Sequence, residues 1–322
     1  MRTRGVVVLL GLAMTVTGCS ATSTPPPSVS IAPAPVRPAG AQEITAVPEA
    51  ATAECADAEA SLRPGPQPAP GAMPPGSTMA AIQERGRLIV GVDQNTFMFG
   101  YRDPASGRLE GFDIDLAREI ARRIFGDPDR IDLQVVEAGQ RESALDSGRV
   151  DLVVRTFSIT CERKENIDFS TTYFYAKQRI LARRDSGIGS AADLSGKRVC
   201  SVSGTTSLKR VFDLDPRPTL IGVTSWTDCL LMLQQGQVDA VSTDDVVLKG
   251  LARQDPDVDV VGESLGIEPY GVGIKKGNDD LVRFVNGALE DIRAEGTWER
   301  LYDRWLQSLG PSPGPPTARY QD

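Results

Sequence analysis

Two successive series of alternating strand and helix patterns constrain the fold of this chain more than any other feature. Residues 87–92 form an apolar run, and residues 112–124 place Ile114, Leu116, Ala117, Ile120, Ala121 and Ile124 at helical spacing. A strand pattern at 131–136, a short helix at 141–148 and an apolar strand at 150–154 complete a βαβαβ order. The second series runs through a strand at 198–202, a helix from 206 to 211, a strand at 219–223, a helix at 227–235 and a strand at 238–242. A further strand at 270–274 and two amphipathic helices, 279–295 and 297–306, follow. Strands alternating with helices imply parallel sheets covered by helices. The expected fold class is α/β, with two lobes of similar order, each a mainly parallel sheet flanked by helices.

The flanks differ in composition. Arg2 and Arg4 precede an apolar stretch, 6–16, that is short for a membrane span and ends in Val16-Thr17-Gly18-Cys19. This resembles a bacterial lipobox, although the usual residue at Val16 is leucine. The expectation is a signal peptide at 1–18 and a lipid on Cys19, which anchors the mature protein to the outer face of the membrane. The other reading is a plain secretory signal. Residues 19–77 are rich in Pro, Ala, Ser and Thr without apolar period, and are expected to be a disordered tether. Residues 311–322 are expected to be a loose tail.

Composition removes several functions. The chain has no histidine, which excludes the Ser-His-Asp triad and every histidine-containing zinc site. A formal net charge of −8 argues against a nucleic-acid partner. Four cysteines remain after Cys19: Cys55, Cys161, Cys200 and Cys229. An even number in an exported chain suggests two disulfides, with three pairings possible. Cys200 and Cys229 lie in the same later region and are paired here, which leaves Cys55 with Cys161. No two are spaced as C-x-x-C, so no metal site is expected.

Ligands of α/β lobes bind at the carboxyl ends of strands. Three such ends stand out. Residues 151–170 run from a strand into Arg155, Thr156, Ser158 and Thr160, then Arg163. Hydroxyls, backbone N–H groups and a guanidinium fork can hold a carboxylate. Residues 203–206, Ser-Gly-Thr-Thr, open a helix and offer free N–H groups to an anion. Ser242-Thr243-Asp244-Asp245 offers paired acids to a cation or ammonium. The plainer readings are a buried strand with an ordinary turn for the first and helix caps for the other two. An anion receptor facing an ammonium receptor matches the backbone of a free α-amino acid.

Over residues 86–310 the chain resembles the bacterial solute-binding protein family 3, the substrate-binding proteins of polar amino-acid ABC transporters. It is most similar to the glutamine- and glutamate-binding lipoproteins of actinobacteria. The motifs are Gly111-Phe112-Asp113-Ile114-Asp115-Leu116, Ser158-Ile159-Thr160 with Glu162-Arg163, Ile167-Asp168-Phe169-Ser170, Ser203-Gly204-Thr205-Thr206-Ser207, Val238-Asp239-Ala240-Val241 with Asp244, and Tyr270-Gly271.

The resemblance implies a two-lobed, type II periplasmic-binding-protein-like fold joined by two hinge strands near 175–179 and 266–270. Lobe 1 would take 78–176 and 270–310, and lobe 2 would take 177–269. It implies that Arg163 grips the ligand α-carboxylate with Thr156 and Ser158, that Thr205 and Thr206 add contacts from lobe 2, and that Asp244 binds the ammonium. Of the aromatic clamp of glutamine binders, Phe97 supplies one ring, with Phe99 and Tyr101 as rivals. The second ring is replaced by Ala138, and a lysine of those proteins by Val202. Arg141 matches an arginine that serves the side-chain carboxylate in acidic amino-acid binders, and Arg155 can do the same. Ordinary surface charge is the plainer reading of both.

The expected ligand is glutamate or aspartate, then their amides. The expected partner is an ABC permease or, on the same lobes, a membrane signalling receptor. The protein is expected to be a monomer without cofactor. A lyase on this fold needs an unpaired acid in the cleft, and Asp244 is already assigned, so an enzyme is not expected.

Overall fold

A computed structural model describes residues 37–47 and 55–322. The signal segment 1–18 and Cys19 lie outside the described residues. Two sheets carry the folded part. The first orders its strands Ile131–Val135, Leu88–Val92, Leu152–Val153, Gly273–Lys275 and Ile167–Phe169. The first three run parallel, and Gly273–Lys275 joins antiparallel to both its neighbours. Leu88, Val90 and Val92 are wholly buried. The helix Phe112–Phe125 turns its full apolar stripe inward: Ile114, Leu116, Ala117, Ile120, Ala121 and Ile124 are all buried. The stripe read from the sequence is therefore the face that packs.

The second sheet is ordered Gln42–Glu43, Thr219–Val223, Arg198–Val202, Ala240–Asp244, Phe174–Arg183 and Val258–Tyr270. Its three central strands are parallel. The last two strands are long, and they pair antiparallel from Phe174↔Tyr270 to Val258↔Arg183. They carry the chain from the first sheet to the second and back. A disulfide between Cys200 and Cys229, with Cα atoms 5.5 Å apart, ties the strand Arg198–Val202 to the helix Trp226–Gln234. The other expected pair, Cys55 and Cys161, is also bonded, with Cα atoms 5.6 Å apart.

The flanks need correction where they are described. Gln42–Glu43 adds an edge strand to Thr219–Val223, and the Ile44 N–H donates to the Leu220 carbonyl at 2.8 Å. Ile44 and Val47 pack against the second lobe's core. Ala60, Ser61 and Met73 are buried, so residues 55–77 are laid against the body rather than loose. The tail is likewise held: Tyr320 bridges to Ser61 and donates its hydroxyl to Glu290 at 2.6 Å, while Asp322 pairs with Arg283 at 2.6 Å. The apolar contacts of the N-terminal flank are single residues at irregular spacing. Such contacts leave no period for a sequence reading to detect. Among the described residues, no helix is long and apolar enough to cross a membrane.

Candidate functional site

The carboxyl ends of the central strands of both sheets converge on one small cavity. The first lobe lines it with Arg141, Arg155, Thr156 and Ser158. The second supplies Thr205, Thr206, Ser207, Trp226, Thr243 and Asp244. The lobes are closed. Gly204 sits at φ +76°, and a Cβ there would lie 2.5 Å from the Gly139 Cα. Only a residue without a side chain permits this approach and this backbone conformation together.

Arg141 is 4% exposed, and its guanidinium lies 4.1 Å from the Phe157 ring centroid. Nε donates to the Ala138 carbonyl at 2.8 Å, and Nη2 donates to the Gly204 carbonyl of the other lobe at 3.1 Å. Nη1 reaches the Arg155 and Thr156 carbonyls, each at 3.4 Å. Among the described residues no carboxylate pairs with it. Burial, then the charges of Arg163 and Arg155, hold its pKa well below the usual guanidinium value. The plainer reading of Arg141 as surface charge does not fit this burial.

Arg163 lies beside the cavity rather than in its lining. Its Nη1 donates to the Ser158 carbonyl at 2.6 Å, its Nη2 to the Gly204 carbonyl at 3.2 Å, and Nε is 3.7 Å from Glu142. Arg155 makes a buried ion pair with Asp93 at 3.0 Å, yet its Nε is buried without an acceptor. Asp93 directly follows the strand Leu88–Val92 and accepts from the Thr96 hydroxyl at 2.6 Å and the Asn95 N–H at 3.2 Å.

Thr156 has φ +39°, rare for a β-branched residue. Its N–H donates to Asp113 Oδ2 at 2.8 Å, and Tyr173 donates to the other oxygen at 2.8 Å. Asp113 thereby fixes a strained backbone at the cavity wall. Burial pushes its pKa up to about 7, against the lowering effect of those two bonds.

On the second lobe, Asp244 ends the strand Ala240–Asp244 and makes no cap bond to the helix Asp245–Ala252. The plainer reading of Asp244 as a helix cap is not what its side chain does. It accepts from the Tyr270 hydroxyl and, at 3.3 Å, from Ser207. Burial first, then the charge of Glu268, raises its pKa to about 7. Thr205 does act as a cap, accepting from the Leu208 N–H at 3.1 Å. Thr206 donates to Glu268 at 2.7 Å.

Phe97 is not in the cavity lining. It packs edge-on to Tyr101, 5.0 Å between centroids, and its carbonyl lies against Gly250 of the other lobe. Of its rivals, Phe99 is fully buried in the core. The aromatic residue that lines the cavity is Trp226, which the sequence reading passed over. Both Trp226 and Asp93 lie just after the carboxyl ends of strands, so the rule that located the other site residues covered them too.

Two α/β lobes closed on a polar cavity, with arginines on one side and a buried acid on the other, define a binding protein for a small zwitterion. The chain belongs to the bacterial extracellular solute-binding proteins, family 3, whose description matches residues 88–308. It is 34% identical to an ABC transporter glutamine-binding protein of Bacillus subtilis, over 71% of this chain and 85% of that one. It is also 34% identical to a glutamate-binding protein of Corynebacterium glutamicum, over 69% and 79% of the two chains. Among solved structures, a mutant of ArgBP from T. maritima matches with TM-score 0.67 and 31% identity, covering 71% of this chain and 99% of that chain. An ancestral arginine-binding protein bound to glutamine matches with TM-score 0.64 and 35% identity, covering 69% and 98%.

Proposed function

We propose that the protein captures glutamate or aspartate, or else their amides, outside the cytoplasm and presents the ligand to an ABC permease. The observation that carries this reading is Arg141: a buried guanidinium at the cavity whose hydrogen-bond acceptors among the described residues are all backbone carbonyls. A buried cation without a counter-charge is costly, and a ligand carboxylate supplies one. Arg163, with Thr156, Ser158, Thr205 and Thr206, takes the α-carboxylate. Asp244 takes the ammonium, and Arg155 with Arg141 takes the side chain. The glutamine- and glutamate-binding relatives support this ligand class. We further propose that the mature chain is lipid-anchored through Cys19 and acts as a monomer, with 78–176 and 270–310 moving against 177–269.

Isothermal titration against the twenty amino acids tests the reading. Glutamate or aspartate should bind tightest, and Arg163→Ala and Asp244→Ala should each weaken binding by about thirtyfold or more, because each leaves a desolvated ligand charge unpaired. Binding of arginine alone, or near-normal affinity in either variant, would refute it.

A further inference from the structure

We infer that Trp226 is a specificity-determining residue whose indole N–H donates a hydrogen bond to the side-chain carboxyl or amide oxygen of the bound amino acid. The inference rests on the proposed function and adds the group by which the second lobe reads the far end of the ligand.

The chain has three tryptophans. Trp298 donates to the Tyr173 carbonyl at 2.8 Å and Trp305 donates to Asp115 at 2.7 Å. Trp226 is 4% exposed and lines the cavity, but its N–H has no acceptor among the described residues. Its Nε1 is not among the fully buried polar atoms that lack a partner, so the N–H keeps access to solvent and is free to donate to a ligand oxygen that displaces it.

Strand order decides which end of the ligand Trp226 meets. Asp244 ends the strand next to the connecting strands, the 203–206 turn follows the next strand out, and Trp226 follows the strand beyond that. Two strand spacings place the strand leading to Trp226 about 10 Å from the one that ends in Asp244. A ligand with its ammonium on Asp244 and its carboxylate near the turn must send its side chain away from the connecting strands, toward Trp226. The helix Trp226–Gln234 packs against the first-lobe strand Asn95–Thr96. Thr96 bonds Asp93, which in turn pairs with Arg155. Trp226 therefore closes the same end of the cleft as Arg155, whose Nε also lacks an acceptor.

The ¹⁵N-labelled protein should give three indole resonances, and Trp226→Phe identifies one by its disappearance. Through-space contacts assign the same resonance if that variant does not fold. On titration with L-glutamate, L-aspartate, L-glutamine and L-asparagine, the Trp226 resonance should move downfield and exchange more slowly with solvent. Those of Trp298 and Trp305 should stay. A folded Trp226→Phe variant should bind the preferred ligand about tenfold more weakly, as for one lost hydrogen bond. If the wild type binds one of the four by calorimetry while the Trp226 resonance stays put, or if the variant keeps full affinity, the inference alone fails. If none of the four binds, the proposed function fails and the inference with it.

Discussion

Asp244 shows how one buried acid couples this cleft to pH. Burial and then the charge of Glu268 raise its pKa to about 7. A ligand ammonium favours the ionised form, so binding should expel a proton whenever Asp244 starts protonated. Affinity should therefore rise with pH through neutrality and fall by up to about tenfold per unit below it. Titrations in buffers of different ionisation enthalpy should detect the released proton, and a flat profile would contradict the role. Stability runs the other way. Burial pushes Asp113 and Asp244 up to about 7 in the folded protein, against 3.8 for a free aspartate. Between those values the folded state holds more protons than the unfolded state. The ligand-free protein should therefore melt at a higher temperature at about pH 5 than at about pH 8. Thermal scans of the wild type and of Asp113→Asn, which removes one of the two titrating acids, check this.

At the scale of elements, the turn 203–206 decides whether the lobes can meet. Its Gly204 carbonyl accepts from both Arg141 and Arg163 across the cleft, and its Cα faces Gly139. Gly204→Ala would meet Gly139 Cα at 2.5 Å and be strained at φ +76°. The variant should fold but close poorly, with ligand affinity lowered about tenfold or more by a backbone cost of 1–3 kcal/mol plus the clash. Calorimetry and small-angle scattering with and without ligand would read this. Elements of this kind were largely legible in the sequence. The stripe of Phe112–Phe125 and the apolar runs of the central strands each carry a clean period. The strand Val258–Tyr270 was recognised only in part, because its register shifts between Val261 and Gly266 and Gly262, Glu263 and Ser264 break the alternation. The contacts between lobes were not legible at all. That Arg141 serves carbonyls from two lobes depends on where Gly204 comes to rest, and no local pattern encodes that.

For the whole molecule, covalent ties matter as much as the sheets. Cys200–Cys229 closes a sequence separation of 29 inside one lobe, and Cys55–Cys161 closes 106 across the N-terminal flank. Replacing Cys200 and Cys229 by serine should lower stability by about 2–4 kcal/mol. Replacing Cys55 and Cys161 should mainly expose the stretch around Cys55 to protease, since the contacts that follow it, such as Ser61 with Phe169 and Asn286 and Asp57 with Arg319, remain. Denaturant titration and limited digestion would separate the two effects.

The interlock of Ser61 with Tyr320 also bears on how the protein is handled. Composition invites trimming at both Pro-rich ends, leaving residues 78–310. Such a piece would lose the Ser61 hydroxyl that donates to the Phe169 carbonyl at 2.6 Å and accepts from Asn286 at 2.9 Å. It would leave Cys161 as an unpaired thiol two positions from Arg163. Tolerance to trimming follows buried contacts rather than composition. A version cut at those points should aggregate and dimerise through that thiol, where one kept from residue 37 onward should not.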